Sequence, residues 1–165
     1  MDLKTLVVGT RDTIAGTVYG TIIVLSEVTA AESAFKNDLA SLAVVVVVTT
    51  TVFWAAHVYS QGIGRSIDLG RQLSATELGR IARRESSMLV AAVLPVLLLA
   101  LGAAGVLGKS TALWLVVVVG IVTLTAEGVR YARLERLSRA NAVLTVGFNL
   151  GLGLAIAGLK ALVAH

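Results

Sequence analysis

Five long apolar stretches constrain this chain more than any other feature of its sequence. The hydrocarbon core of a bilayer is about 30 Å thick, so a helix of about 20 apolar residues crosses it. A mean hydropathy of +0.87 and a charged fraction of 15 % are too apolar for an ordinary water-soluble domain. We therefore predict an all-α polytopic membrane protein, with residues 1–165 forming a single integral membrane domain. Its five transmembrane helices are predicted at residues 13–31, 39–59, 86–107, 111–128 and 142–162.

The basic residues fall on alternate connections between these stretches, and this predicts the orientation. With a cytoplasmic N-terminus, the inside segments carry eleven lysines and arginines and the outside segments three. Cytoplasmic loops of membrane proteins are enriched in these residues, so we expect the N-terminus inside and the C-terminus outside. The expected location is a bacterial plasma (inner) membrane, crossed several times. The net charge of +4 then indicates contact with membrane lipids of anionic headgroup, and no nucleic-acid partner is expected.

The connection at residues 60–85 is the only sizeable segment outside the predicted spans, and it is amphipathic. Ser74 and Glu77 have the spacing of a capping box, in which each side chain satisfies a backbone N–H group at the start of a helix. We expect a helix to begin there and to run into the third span. Residues 129–139 are predicted to continue the fourth helix beyond the membrane.

The first span places polar and small residues on one helical face. Asp12, Tyr19 and Glu27 share an arc of about 100° with Gly16 and Gly20. An ionised carboxylate inside the hydrocarbon is costly, so Glu27 is expected to be protonated, paired or hydrated. The alternative is that Glu27 reaches the outer headgroups. The two glycines form a GxxxG pair, which lets another helix approach closely.

Three further polar residues lie in other spans. Glu127 precedes Arg130 by one turn, so an internal ion pair is expected at the inner rim. His57 could exchange protons or bind a metal, or it could be a satisfied core residue; any metal ligands remain unknown. It shares a face of the second span with Thr50, Trp54 and Gln61. Asn149 is expected to hydrogen-bond across a helix interface. The candidate transport pathway comprises Asp12, Tyr19, Glu27, His57, Glu127 and Asn149.

Small residues in the last span predict close contact with another helix. Gly147, Gly151, Ala155 and Gly158 follow one face at helical spacing. In lipid, such faces allow two backbones to pack tightly. We expect this face, like Gly16 and Gly20, to form helix packing or dimer contacts, either in a homodimer or with a partner membrane protein.

The sequence gives little support to an enzyme. It contains no nucleophile motif, no paired metal-ligand spacing of the HExxH type and no phosphate loop. It also contains no cysteine. We therefore expect a protein that is not an enzyme and has no cofactor.

The segment from Arg11 and Asp12 to Gly16 and Gly20, RDTIAGTVYG, resembles the first-helix signature of the vacuolar iron transporter family. The resemblance implies five helices, a cytoplasmic N-terminus, a cytoplasmic insertion between helices two and three, and a homodimer with the ion path between subunits. The family places an ion-binding aspartate immediately before the second glycine, where this chain has Tyr19. The methionine and glutamate ligands of helix two and the glutamate-rich insertion have no counterpart here.

Two functions follow from these observations. The first is transport of a small cation or proton along the polar faces of spans one, two and four, by a divergent relative with a cargo other than iron. The second is a membrane scaffold or accessory subunit that does not transport and binds partner helices through its glycine faces. Carboxylates beside a hydrated cavity would favour transport, whereas glycine faces buried against a partner would favour the scaffold.

The predicted topology can be tested with reporters. A reporter fused after His165 is expected outside the cytoplasm, and one inserted near Gln72 is expected inside, because the inner connections carry most of the arginines. Protease protection of both reporters in spheroplasts measures this. Two reporters on the same side would refute five spans.

Overall fold

The structure, a computed structural model, describes residues 11–31, 34–35 and 38–163, with side chains described between residues 13 and 158. Within these residues the chain is helical and contains no strand. This confirms the all-α class. The helices are α1 (Arg11–Ala31), α2 (Leu39–Leu69), α3 (Ala75–Arg84), α4 (Ser87–Ala103), α5 (Lys109–Leu134) and α6 (Arg139–Val163).

The long helices have the composition of membrane spans. Helices α1, α2, α5 and α6 are long and apolar enough to cross a bilayer. Helices α3 and α4 are bent by 45° relative to each other and together meet the same criterion as a fifth segment. The chain is therefore compatible with a multi-pass helical membrane bundle.

Helix α1 lies at the centre of the bundle, because it contacts α2, α4, α5 and α6. It runs parallel to α4, since Gly16 lies against Ser87 and Gly20 against Met88. Helix α6 packs chiefly on α5 and α1. The main core, between α1, α2, α4 and α5, contains the fully buried Val24, Leu42, Val46, Leu99 and Val116.

Helix α2 is longer than predicted. Its N-terminus is capped by Asp38, which accepts a hydrogen bond from the Ser41 N–H group at 2.9 Å. The hydrogen bonds from Ser41 lower the pKa of Asp38. The helix continues for 31 residues, or about 46 Å. It ends at Gly70, whose φ of 61° is a left-handed conformation that glycine adopts readily.

Residues 60–69, expected to belong to a connection, are therefore a helical extension of the second span. Gly62 and Gly64 do not end the helix, and Gly62 is buried opposite Leu78 of α3. A glycine inside a helix costs only about 1 kcal/mol, so neither residue is enough to end the helix. The predicted helical continuation at residues 129–139 also differs, since α5 ends at Leu134 and a turn at Arg136 leads into α6.

The bent pair of helices begins with the capping box that the sequence predicts. The Ser74 hydroxyl accepts from the Glu77 N–H group at 3.3 Å, and the Glu77 carboxylate accepts from the Ser74 N–H group at 2.9 Å. The guanidinium of Arg71 donates to both Glu77 carboxyl oxygens, at 3.0 and 2.8 Å. These bonds hold the pKa of Glu77 at about 2.

Acid should weaken the start of α3. Because the pKa of Glu77 falls from 4.5 to about 2 on folding, its contribution to stability is complete above about pH 4.5 and lost as the pH falls towards 2. The variant Glu77→Gln should unfold more readily than the wild type at neutral pH and equally readily near pH 2. Thermal unfolding of both proteins in detergent, followed by circular dichroism, measures this. An undiminished difference near pH 2 would contradict it.

The glycine faces should differ in their effect on stability. A Cβ atom added at Gly16 would lie 2.0 Å from the Ser87 hydroxyl oxygen, and one at Gly20 would lie 2.6 Å from the Met88 carbonyl oxygen. At Gly147 and Gly151 an added Cβ meets nothing within 4 Å. Leucine at either α1 position should therefore cost about 1–3 kcal/mol of unfolding free energy or more.

The matched variants Gly147→Leu and Gly151→Leu should not lower that free energy and should raise it by at most about 1 kcal/mol, because leucine favours the helix more than glycine does. Denaturant unfolding in detergent compares the two pairs. Equal effects at both faces would show that the α1–α4 contact is not as close as described.

Candidate functional site

Three polar side chains from different helices meet where α3 joins α4. The rings of Tyr19 on α1 and His57 on α2 are 5.6 Å apart between centroids and tilted by 31°. The Nε2 atom of His57 lies 3.4 Å from the Oε2 atom of Glu85, the residue that follows α3. The Glu85 side chain is only 12 % exposed and that of His57 34 %. We call Tyr19, His57 and Glu85 the histidine cluster.

A tryptophan on α2 explains why the helix breaks beside this cluster. The Trp54 indole N–H donates to the Ala82 carbonyl at 3.3 Å. In an uninterrupted helix that carbonyl would accept from the Ser86 N–H group, which instead points to the Arg83 carbonyl at 3.4 Å. Insertion of a side chain into the helical ladder causes a bend. The expected helix from Ser74 into the third span is therefore broken after Arg84.

The predicted polar face of α2 supports this arrangement. Thr50 is buried, Trp54 and His57 contact the α3–α4 junction, and Gln61 lies further along the same face. All four residues therefore face α3 and α4, as helical spacing predicts. A neutral hydrogen bond from Trp54 and the contact between His57 and Glu85 connect the junction with α2.

The histidine cluster adjoins an open cavity of about 490 Å³ between α2 and α3. Glu85 lines this cavity together with Gln61, Arg65, Asp68 and Arg84. The cavity is polar and lies beyond the apolar part of α2. Glu85 therefore belongs both to the cavity and to the cluster, and it connects the exposed side of the junction with His57.

A second polar contact lies between α1 and α2, further along α1 than the histidine cluster. The Thr49 side chain is hydrogen-bonded to the Glu27 carboxyl group. The other Glu27 oxygen, Oε2, is buried and has no hydrogen-bond partner among the described residues. Glu27 follows Tyr19 by eight residues, as His57 follows Thr49, so the two contacts are about 12 Å apart along the helices.

A third polar group lies on α5. Glu127 is 5 % exposed and forms the expected ion pair with Arg130. Its Oε2 atom is buried and has no hydrogen-bond partner in the described part of the chain. The adjacent Gly128 lies against Asn149 of α6. The Asn149 amide donates to the Thr145 carbonyl of its own helix at 3.0 Å, so the hydrogen bond shown is within α6 and not the expected one across the interface.

The structure brings together only some of the predicted pathway residues. Tyr19 and His57 are in contact, while Glu27 and Glu127 occupy separate positions. The side chain of Asp12 lies outside the described residues. Gly16 and Gly20 form the predicted close contact within the bundle. On α6, the small-residue face of Gly147, Gly151, Ala155 and Gly158 is exposed.

Glu85 and Thr49 were not among the predicted site residues. Glu85 immediately precedes the third apolar stretch, and Thr49 lies in a run of threonines and valines. Their contacts depend on how α2 packs against α1 and the α3–α4 junction, for which the sequence has no local signal. Among the residues whose side chains are described, no group of three His, Asp or Glu residues is placed to hold a metal ion.

Comparison with known proteins adds no relative. No family model, no curated protein and no solved structure matches this chain.

The coupling between His57 and Glu85 can be measured in a double-mutant cycle. His57→Gln and Glu85→Gln should show an interaction energy of about 0.5–3 kcal/mol. Unfolding free energies of the four proteins in detergent give this value. Strict additivity would show that the two side chains do not interact.

Proposed function

We propose that this protein moves protons or another small cation across a bacterial plasma membrane, crossing it five times with its N-terminus inside. The observation that carries the proposal is the histidine cluster, which adjoins a polar cavity on one side and the α1–α2 interface on the other. Ionisable groups within membrane helices are costly and typically line ion or proton paths.

The inner part of the path begins in the cavity between α2 and α3. Glu85 receives the cation there and is in contact with His57. A histidine exchanges protons near neutral pH, and a tyrosine hydroxyl both donates and accepts hydrogen bonds. Tyr19 then lies on the side of His57 that faces α1. These three residues form a relay at the cytoplasmic end of the protein.

The outer part of the path is the Glu27–Thr49 contact. The step of about 12 Å between the two contacts exceeds the reach of a hydrogen bond. Transfer therefore requires a hydrated gap or a movement that exposes the two ends alternately, as in other transporters. The Oε2 atom of Glu27, which has no partner among the described residues, would accept the proton during such a movement.

The remaining candidates lie beside this route. The Glu127–Arg130 pair and Asn149 form a second polar region between α5 and α6. We propose that Asp12 extends the path towards the cytoplasm at the start of α1. The chain would then retain the scaffold of the vacuolar iron transporters, as a distant relative with a different cargo.

A proton suits this geometry better than a multivalent metal ion. The histidine cluster, Glu27 and Glu127 lie at separate positions, and the described residues contain no group of three His, Asp or Glu side chains placed to hold one metal ion. Protons pass between single groups, whereas a divalent cation such as Ca²⁺ or Mn²⁺ requires several oxygen or nitrogen ligands at one position.

Flux through reconstituted vesicles tests the proposal. The protein in vesicles with an imposed pH gradient should carry a proton flux that Glu27→Gln and Glu85→Gln each reduce by roughly tenfold or more, since each removes one titratable group. The matched control Ser26→Ala changes the exposed neighbour of Glu27 and should retain the flux. Glu27→Asp should restore part of it.

Parallel assays with iron, manganese and potassium identify any other cargo. Size-exclusion profiles of the variants confirm that they remain folded. If the unmutated protein moves none of these ions at any pH gradient, the transport proposal is wrong.

The second candidate function is a membrane scaffold. The observation that favours it is the exposed face of α6, where an added Cβ at Gly147, Gly151 or Gly158 would meet nothing within 4 Å. A helix of a second copy or of a partner membrane protein could approach this face closely. Chemical cross-linking in vesicles, comparing Gly151→Leu and Gly158→Leu with the wild type, should show weaker association. Unchanged association would reject this face as the contact.

A further inference from the structure

A large apolar groove lies between the end of α5 and the beginning of α6. Its volume is about 630 Å³, within the range of about 300–1,000 Å³ that is typical of small-molecule sites. Its apolar lining consists of Val129, Ala132, Leu137, Ala142, Val143 and Val146. Gly147 continues the lining along α6 and leaves space there, because an added Cβ would meet nothing within 4 Å.

Two arginines are among the residues that line this groove. Arg133, in the last turn of α5, and Arg136, in the turn that follows, are exposed lining residues. Arg136 has a φ of 50°, a left-handed conformation that is uncommon for a residue with a side chain. This turn reverses the chain from α5 into α6, and both arginines border the groove, whose surface is almost entirely apolar. No acidic residue is part of the lining.

We propose that this groove binds one anionic phospholipid. The headgroup phosphate would lie on Arg133 and Arg136, because guanidinium groups bind phosphate in paired hydrogen bonds. An acyl chain would follow the valines of α6 towards Gly147. The charge complementarity and the change from arginine to apolar lining within one groove both match a lipid at the membrane boundary. Basic pockets between membrane helices bind anionic lipid headgroups in this way.

This assignment does not depend on the transport proposal, since the groove contains none of the residues of the histidine cluster. The proposed lipid site also differs from a basic surface that is attracted to any anionic membrane. A surface would hold any anionic lipid loosely, whereas a groove with an apolar extension should retain a single lipid during purification.

Native mass spectrometry tests the proposal with protein extracted from vesicles of equal parts phosphatidylglycerol and phosphatidylcholine. The wild type should retain one phosphatidylglycerol. The double variant Arg133→Gln, Arg136→Gln should reduce its preference over phosphatidylcholine about 25-fold, since each arginine near the surface contributes about five-fold. The charge-matched control Arg80→Gln, Arg83→Gln alters exposed arginines of α3 and should leave the preference unchanged.

Two further measurements separate the possible occupants. In the first, Gly147→Leu fills part of the apolar lining and keeps both arginines, so the amount of retained phosphatidylglycerol should also decrease. In the second, inorganic phosphate added to the wild type should not displace the lipid. Displacement by phosphate, or full retention in Gly147→Leu, would mean that only a free anion or headgroup is bound and would overturn the proposal. A dimer that holds no lipid and dissociates in Gly147→Leu would assign the groove to a second copy, and would overturn it too.

Discussion

The close approach of α1 to α4 is the contact on which the rest of the bundle depends. At Gly16 and Gly20 there is no room for a side chain, because Ser87 and the Met88 backbone occupy that space. Van der Waals packing between small residues is the main attraction available to helices in lipid. This contact fixes the position of α1 along the axis of α4. Tyr19 therefore lies beside His57 and at the level of the α3–α4 junction, and the histidine cluster follows from it.

The polar face of α2 determines the shape of that junction. Trp54 donates to the Ala82 carbonyl at the point where the Ser86 N–H group no longer does so. The helix bends there, and Glu85 lies beside His57. Glu85, which caps the end of α3, is thus also part of the histidine cluster. The capping box at Ser74 fixes the other end of α3, so this short amphipathic helix is defined at both ends by side-chain hydrogen bonds.

The sequence predicts the local features well, since each depends on residues close together in the chain. The apolar stretches, the capping box of Ser74 and Glu77, and the ion pair of Glu127 with Arg130 require only spacing along one helix. The role of Glu85 requires the position of α2 relative to α3, which no local pattern encodes. The predicted span ends before α2 does, because hydropathy marks only the apolar part of a helix. The helix itself continues through more polar residues and ends at Gly70. The two glycine faces looked alike in sequence and differ in the structure, because one faces α4 and the other is exposed.

Two carboxylates between the helices indicate that the bundle does more than hold itself together. Glu27 and Glu127 each keep one buried oxygen without a hydrogen-bond partner in the described residues, and an unsatisfied buried polar group costs about 1–3 kcal/mol. Breaking a buried ion pair is destabilising, yet replacing it entirely with apolar residues is often neutral or stabilising. An apolar residue in place of Glu27, or two apolar residues in place of the whole Glu127–Arg130 pair, would therefore serve packing at least as well. The carboxylates weaken the interfaces that contain them, which is consistent with a role in binding or transferring a cation.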